Sequence, residues 1–164
     1  MKIAESKMNS LMVGVSGVRG IVGEALIPEV VAKFSAAFGR FSQGGMIVVG
    51  SDTRTSNQMF KYAVFSGLLS TGCEIVDVGV CPTPSLQLMV EELKASGGIV
   101  ITGSHNPAEW NALKFIRSDG LFLYPEQGKR FLQIYAKERI PRVKWDEIKE
   151  VHQNTLAIEN HLNK

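Results

Sequence analysis

A chain of 164 residues, 45% of them apolar, has material for one packed domain and none of the marks of a disordered segment. Its formal charge of +2 gives no electrostatic case for nucleic acid or an anionic membrane surface. Cys73 and Cys81 form no C-x-x-C pair and read as reduced thiols of a cytoplasmic protein, no apolar run approaches the ~20 residues of a membrane span, and the N-terminus lacks a signal-peptide core.

Residues 1–10 form a polar lead-in, and Leu11-Met12-Val13 reads as a first short strand. Gly14-Val15-Ser16-Gly17-Val18-Arg19-Gly20 is predicted to be a glycine-rich loop with one guanidinium. Two readings of it stand open: an anion-binding loop of main-chain N–H groups with Arg19, or a turn with a solvated arginine. Pro28 opens a helix whose Val30, Val31, Phe34, Ala37, Phe38 and Phe41 recur at helical spacing, so this helix should lie on a sheet. Met46 to Val49 is a continuous apolar run, hence a central strand. It ends at Asp52-Thr53-Arg54-Thr55-Ser56, where open α/β sheets tend to bind ligands. Arg54 is the functional candidate there, with Asp52 as its holder. Thr55 or Ser56 is expected to cap the helix that follows, about Asn57 to Thr71.

A further strand is predicted over Cys73–Val78 and a further helix from Thr83-Pro84 to about Lys94. Gly97-Gly98 then leads into Ile99-Val100-Ile101, a short apolar run of the kind that forms a core strand. It runs into a polar turn, Thr102-Gly103-Ser104-His105-Asn106-Pro107, before a second apolar run, Ala112–Ile116. Arg117-Ser118-Asp119-Gly120 signals a hairpin, with Leu121–Tyr124 as a return strand at an antiparallel edge. Pro125 opens a helix that ends before Pro141, with Phe131, Ile134 and Tyr135 inward. Residues 1–140 are thus expected to form one domain, and 141–164 a polar connector with the start of a helix that leads to a second domain beyond. Strands alternating with helices imply a parallel or mixed sheet covered on both faces.

The chemistry centres on Ser104. It is not set up as a hydrolase nucleophile, because His105 is its immediate neighbour, His152 and His161 lie in the late polar stretch, and there is no G-x-S-x-G elbow. No His/Cys spacing fits zinc, and no G-x-x-x-x-G-K-[ST] phosphate loop occurs. A phosphoserine fits the surroundings: glycine-rich backbone together with Arg19, Arg54 and Lys114 is what a phosphate dianion needs. A serine that takes up the phosphoryl group would divide a difficult transfer into two easier ones. The tetrapeptide Ser104–Pro107 by itself is equally a turn, since Asn before Pro favours one.

Four segments together carry a resemblance. ITGSHNPAEWNALKF resembles the active-site serine loop of the α-D-phosphohexomutases, usually T-A-S-H-N-P followed by N-G-x-K. Gly14–Gly20 is similar to that family's S-G-[IVL]-R-G segment, Gly50–Ser56 to its D-x-R-x-S segment, and Pro82-Thr83-Pro84 to its P-T-P turn. They come in the family's order and spacing over about residues 11–135. The resemblance implies a three-layer α/β/α sandwich with a mixed, mostly parallel sheet, the first domain of the phosphohexomutase fold. It also implies that Ser104 is the phosphorylated residue and an oxygen ligand of Mg²⁺. Arg19 and Lys114 would stabilise charge and transfer protons, and His105 would support them. A lysine used in this way needs its pKa lowered, which a nearby arginine helps to do. Ser16, Gly17, Arg19, Arg54 and Asn106 would bind phosphate and substrate.

By the same resemblance the substrate is a hexose phosphate of glucosamine, mannose or glucose, interconverted between its 1- and 6-phosphates through a bisphosphorylated sugar. The S-G-V-R-G form leans towards glucosamine. Gly103 stands where the family usually has Ala, and Ala112 where it has Gly; both read as minor swaps. The family's D-G-D-x-D-R metal loop and G-E-x-S-G sugar loop do not occur in these residues. The expected partners are therefore the remaining domains of the same enzyme, with Mg²⁺ held poorly by this chain alone. Apolar surface left by those domains would favour association of copies. A module that keeps the fold but only binds a phosphate ester or a protein is the other reading.

Overall fold

The computed structural model describes residues 11–14 and 17–164, and within these the apolar runs become the strands of one sheet. The strands are β1 (Met12–Gly14), β2 (Gly17–Ile21), β3 (Met46–Ser51), β4 (Glu74–Val80), β5 (Gly97–Ile101), β6 (Trp110–Arg117) and β7 (Val151–Gln153). The helices are α1 (Pro28–Phe41), α2 (Asn57–Leu69), α3 (Thr83–Glu92), α4 (Pro125–Tyr135) and α5 (Ala157–Leu162). The sheet order is β1-β2-β6-β5-β3-β4-β7. The neighbours β5/β3, β3/β4 and β4/β7 are parallel, and β1/β2, β2/β6 and β6/β5 antiparallel. The mixed three-layer α/β/α arrangement is therefore as expected, but the sheet is not mostly parallel: among the described residues half of its neighbouring pairs are antiparallel, because β6 turns back beside β5 and β2 and β1 follow it.

Alternation along the central strands assigns each helix to a face. Ile47, Val49, Ile99, Ile101, Leu113 and Phe115 pack with α1, α2 and α4, while Val48, Val100 and Ile116 pack with α3. On the first face an aromatic cluster fills the space between α1, α4 and the sheet: Phe34 stacks on Tyr135 at 3.7 Å between centroids and lies 6.4 Å from Phe115 and 6.1 Å from Phe131. Phe34 is fully buried.

Four local expectations differ from the structure. Gly17–Gly20, the second half of the expected loop, is a strand: β1 and β2 pair antiparallel, with Met12 opposite Arg19, and β2 pairs with the edge of β6, while Val15 and Ser16 lie outside the described residues. Here pairing to a strand edge outweighs glycine's turn propensity; Val18 is buried in the core and holds the register. The return strand at Leu121–Tyr124 shrinks to one bridge, Ile116 to Phe122, because β2 takes Trp110–Lys114 of that edge of β6 and leaves only its last residues, and Pro125 starts α4 at once. Residues 141–164 hold more than a connector and a helix: β7 pairs with β4, and α5 packs on α3 with Ala157 buried. Ser85 Oγ lies 2.7 Å from His161 Nδ1 at that contact. Ser56 does stand at the N-cap of α2, but makes no side-chain cap; its Oγ accepts from Asn111 instead.

Replacing Phe34 by Ala removes the ring that joins α1 to α4 and β6. We expect Phe34→Ala to lower unfolding stability in urea by about 3–5 kcal/mol. A loss below about 1 kcal/mol would contradict this account of the core.

Candidate active site

Parallel β3 and β5 end side by side, with Ser51 opposite Ile101. The Asp52 amide donates to Ile101 O at 3.1 Å, and the Thr102 amide to Ala112 O at 3.0 Å. Beyond these last ladder-like bonds Thr102–Glu109 crosses the end of the sheet to β6. Ser104 has φ of 53°, in the left-handed region, which costs an L-residue roughly 1–2 kcal/mol. Local bonds shape the turn. The Ser104 amide donates to Thr102 Oγ1 at 3.0 Å, and the Asn106 amide and side-chain Nδ2 both donate to Gly103 O, at 3.0 and 2.8 Å. Ser104 and His105 stand exposed at the tip, with Oγ 3.4 Å from His105 Nδ1.

Arg54, expected to be a phosphate ligand, reaches under this loop. Its Nη1 donates to Pro107 O (2.6 Å) and Trp110 O (3.0 Å), and its Nη2 to Asn106 O (2.6 Å) and Ser104 O (3.2 Å). Its Nε lies 3.4 Å from Asp52 Oδ2, so Asp52 is the holder that the sequence marked. Asp52 also accepts from the Arg54 amide (3.0 Å), the Gly103 amide (3.2 Å) and Asn57 Nδ2. Burial alone would raise its pKa. The hydrogen bonds from Arg54, Thr102 and Asn57, with the charge of Arg54, outweigh that and hold the carboxyl below its ordinary value.

Asn57 is itself held from below. Asn111, fully buried on β6, donates to Asn57 Oδ1 (2.6 Å) and Ser56 Oγ (2.8 Å), and its Oδ1 accepts from the Ala112 amide (2.8 Å). Neither asparagine was singled out as a site residue from the sequence. The signal for Asn111 was available: it shares its strand face with Leu113 and Phe115, and a buried amide on a core face needs partners.

The other side of the loop is open. A cleft of about 450 Å³ is lined by Ser104, His105, Arg19, Lys114 and Gly17, among others, and among the described residues no Asp or Glu side chain lines it. Lys114 lies opposite Gly17, and Arg19 opposite Ala112, so both cations project from one face of the β2–β6 pair. Gly17 is required by close approach: a Cβ there would sit 2.0 Å from Leu113 O. The Arg19 side chain is exposed, with Nε 3.3 Å from Met12 Sδ. The Lys114 ammonium is 6.0 Å from the Phe122 ring. The structure therefore brings Ser104, His105, Arg19, Lys114 and Gly17 to one cleft. Asn106 touches it while its amide is engaged within the loop, and Arg54 lies behind. Ser16, expected in substrate binding, lies outside the described residues.

Chemically, the cleft offers an exposed hydroxyl with two cationic side chains, an arrangement that receives an anion. Thiol chemistry has no place nearby: both cysteines are free and buried, and burial pushes the Cys81 thiol up to about 11. The donor set does not suit Mg²⁺. Among the described residues no group of three His, Cys, Asp or Glu side chains gathers, and Asp52 is turned into its own network. Ser104 Oγ alone does not hold a hard cation that takes about six oxygens. Among the described residues no helix is long and apolar enough to cross a membrane.

Comparison with known proteins agrees with this geometry. A profile of the phosphoglucomutase/phosphomannomutase family, alpha/beta/alpha domain I, matches residues 10–141. The chain is 41% identical over 148 residues to a phosphoglucomutase/phosphomannomutase of Thermococcus kodakarensis, covering 87% of this chain and 32% of that one. It is 40% identical over 152 residues to a phosphoglucosamine/phosphogalactosamine mutase of Sulfurisphaera tokodaii, covering 92% and 33%. A crystal structure of a phosphoglucomutase/phosphomannomutase family protein from Burkholderia thailandensis superposes with a TM-score of 0.76 at 25% identity, over 91% of this chain and 35% of that one. The chain thus spans about a third of the length of the relatives it matches.

The loop support is testable by stability. Because the Asp52 pKa is depressed in the fold, its contribution is present above the unfolded value and is lost as pH falls through the folded one. Asp52→Asn should be less stable than the parent at neutral pH, with the difference closing from about pH 4 downward. A pH-independent difference in urea unfolding would contradict this. Asn111→Leu leaves Asn57 Oδ1 without its donor and the Ala112 amide without its acceptor, and should cost about 1–3 kcal/mol in the same measurement.

Proposed function

Since the chain belongs to the phosphoglucomutase/phosphomannomutase family and carries its α/β/α domain I, we propose that Ser104 accepts and returns a phosphoryl group in the interconversion of hexose 1- and 6-phosphates. The observation that carries this reading is the open cleft beside Ser104, walled by Arg19 and Lys114 and with no carboxylate among the described residues that line it. An exposed serine whose surroundings favour a dianion suits a phosphoenzyme better than an acyl-transfer nucleophile.

The step balances as follows. Ser104 Oγ attacks the phosphorus of a bisphosphorylated hexose, the P–O bond to the sugar breaks, and the Oγ–P bond forms. The hydroxyl proton leaves Oγ, and the departing sugar oxygen takes up a proton. Returning the group to the free hydroxyl of a hexose monophosphate that carries its phosphate at the opposite position reverses these events and forms the bisphosphate again. Arg19 and Lys114 offset the charge that spreads over the phosphoryl oxygens, which is the main demand of such transfers. Lys114 and His105 are the groups placed to move the proton. Magnesium, when bound, would supply further charge neutralisation at the phosphoryl oxygens; this chain offers it Ser104 Oγ as a ligand, and we assign the remaining ligands to other parts of a longer mutase. We assign sugar recognition to the same parts, so the domain described here, to which β7 and α5 also belong, acts as the phosphoryl-carrying domain. The sugar is one of glucosamine, mannose or glucose. The free, buried thiols accord with a reducing cytosolic setting.

Incubation with glucose 1,6-bisphosphate followed by intact-mass measurement tests the proposal. We expect the chain to gain one phosphoryl group and Ser104→Ala to gain none. No uptake by the parent chain, even with the remaining domains of a relative supplied, would overturn the enzyme reading and support a module that only binds. These 164 residues alone are expected to show no sugar 1-phosphate to 6-phosphate turnover, and detecting turnover would contradict the assignment of sugar and metal holding to other domains.

A further inference from the structure

Ser104 stands exposed, so no packing fixes its side chain. Among the described residues its Oγ has one polar neighbour, His105 Nδ1 at 3.4 Å. The direction of the hydroxyl therefore depends on the backbone. The φ and ψ of a residue are set once the peptide planes before and after it are set. The plane after Ser104 is held through its carbonyl oxygen, which accepts from Arg54 Nη2 at 3.2 Å. The plane before it joins the Gly103 carbonyl to the Ser104 amide. Asn106 donates twice to that carbonyl, but Asn106 belongs to the same turn. The Ser104 amide donates to Thr102 Oγ1 at 3.0 Å, and this bond ties the plane to the sheet.

Thr102 is suited to be that tie. Its amide donates to Ala112 O at 3.0 Å, one step past the last paired residues of β5 and β6. Its side chain is buried, and a β-branched side chain has few rotamers, so the hydroxyl has little freedom. The same hydroxyl helps to hold the Asp52 carboxyl below its ordinary value, so its proton serves Asp52 while its lone pair serves Ser104. A hydroxyl that accepts from the amide two residues on replaces a backbone turn bond. One such bond and the cost of a left-handed backbone are of similar size. Without it, Ser104 leaves its φ of 53° for much of the time.

We propose that Thr102 is a positioning residue for Ser104: by accepting from the Ser104 amide, its hydroxyl holds the left-handed turn that presents Oγ to the cleft of Arg19 and Lys114. The proposal rests on the reading of Ser104 as phosphoryl carrier. Thr102 also borders the cleft, so its test must separate this role from direct contact with a phosphate.

The test compares the parent chain with Thr102→Val, which keeps the shape and removes the hydroxyl, and with Thr102→Ser, which keeps the hydroxyl. Solvent exchange of the Ser104 amide is followed by NMR, and phosphoryl uptake against glucose 1,6-bisphosphate concentration. Thr102→Val should exchange that amide about tenfold faster and show a maximal uptake rate about tenfold lower, with the half-saturating concentration within about twofold of the parent's. Thr102→Ser should stay within about threefold of the parent in exchange and in rate. Parent-like exchange of the Ser104 amide in Thr102→Val, a parent-like maximal rate with a raised half-saturating concentration, or a Thr102→Ser no better than Thr102→Val would each overturn the proposal. Should Thr102→Val not fold, Thr102→Ala is judged on the same criteria. If the parent takes up no phosphoryl group, even with the remaining domains of a relative supplied, the function proposed for Ser104 fails, and the exchange rate still decides whether Thr102 holds the turn.

Discussion

The backbone carbonyls of Gly103–Ala108 have no neighbouring strand to bond, because this segment lies beyond the ends of β3 and β5 and turns back into β6. Water would satisfy them, but water fixes no conformation, and Ser104 sits in a backbone region that an L-residue leaves when it is free to. A planar cation with several donors meets both needs. Arg54 then requires a carboxylate beside it, Asp52 requires donors on its remaining lone pairs, and Asn57 supplies one only because Asn111 holds its own amide in place. Each partner removes a freedom from the one above it. The series ends in the core, on a residue with no solvent exposure.

The two sides of the serine loop thus carry positive charge for different purposes. Arg54 lies beneath and bonds only to the protein. Arg19 and Lys114 lie on the open side and have no carboxylate among the described residues that share their cleft. The division follows from the sheet. β3 and β5 are parallel neighbours whose ends converge under the loop, and the β1–β2 hairpin extends the sheet past β6, where its cleft face is left open. Met12 and Val13 remain 46% and 44% exposed there, which leaves room beside Ser104 for a ligand. Because phosphoryl transfer depends on position and charge more than on covalent assistance, a fixed hydroxyl facing free cations is much of what a protein can contribute.

The layers of this fold are legible from apolar runs alone, since Met46–Val49 and Gly98–Ile101 are too uniformly apolar to be anything but central strands. The helices over Pro28–Phe41 and Pro125–Tyr135 announce themselves by proline and period. The strand β2 does not, because Gly17 and Gly20 make Gly17–Ile21 look like a turn, and only the free edge of β6 makes it a strand. β7 is three residues long, of which His152 and Gln153 are exposed, so no alternation betrays it. In the site, Ser104, His105, Arg19 and Lys114 come from motif resemblance and do meet at one cleft. Arg54 was visible as a functional arginine, but not the side of the loop on which it acts: a guanidinium that binds phosphate and one that binds carbonyls look alike in sequence. The Asn57–Asn111 pair bridges residues far apart in the chain, and no local pattern links them.

The central claim is that Ser104, and no other hydroxyl, carries the phosphoryl group. Tandem mass spectrometry of peptides from the chain after exposure to glucose 1,6-bisphosphate locates the group directly. The account predicts phosphate on Ser104 with Ser51, Ser56, Thr102 and Ser118 unmodified. Phosphate on any of those residues with Ser104 unmodified, or on none, would contradict it.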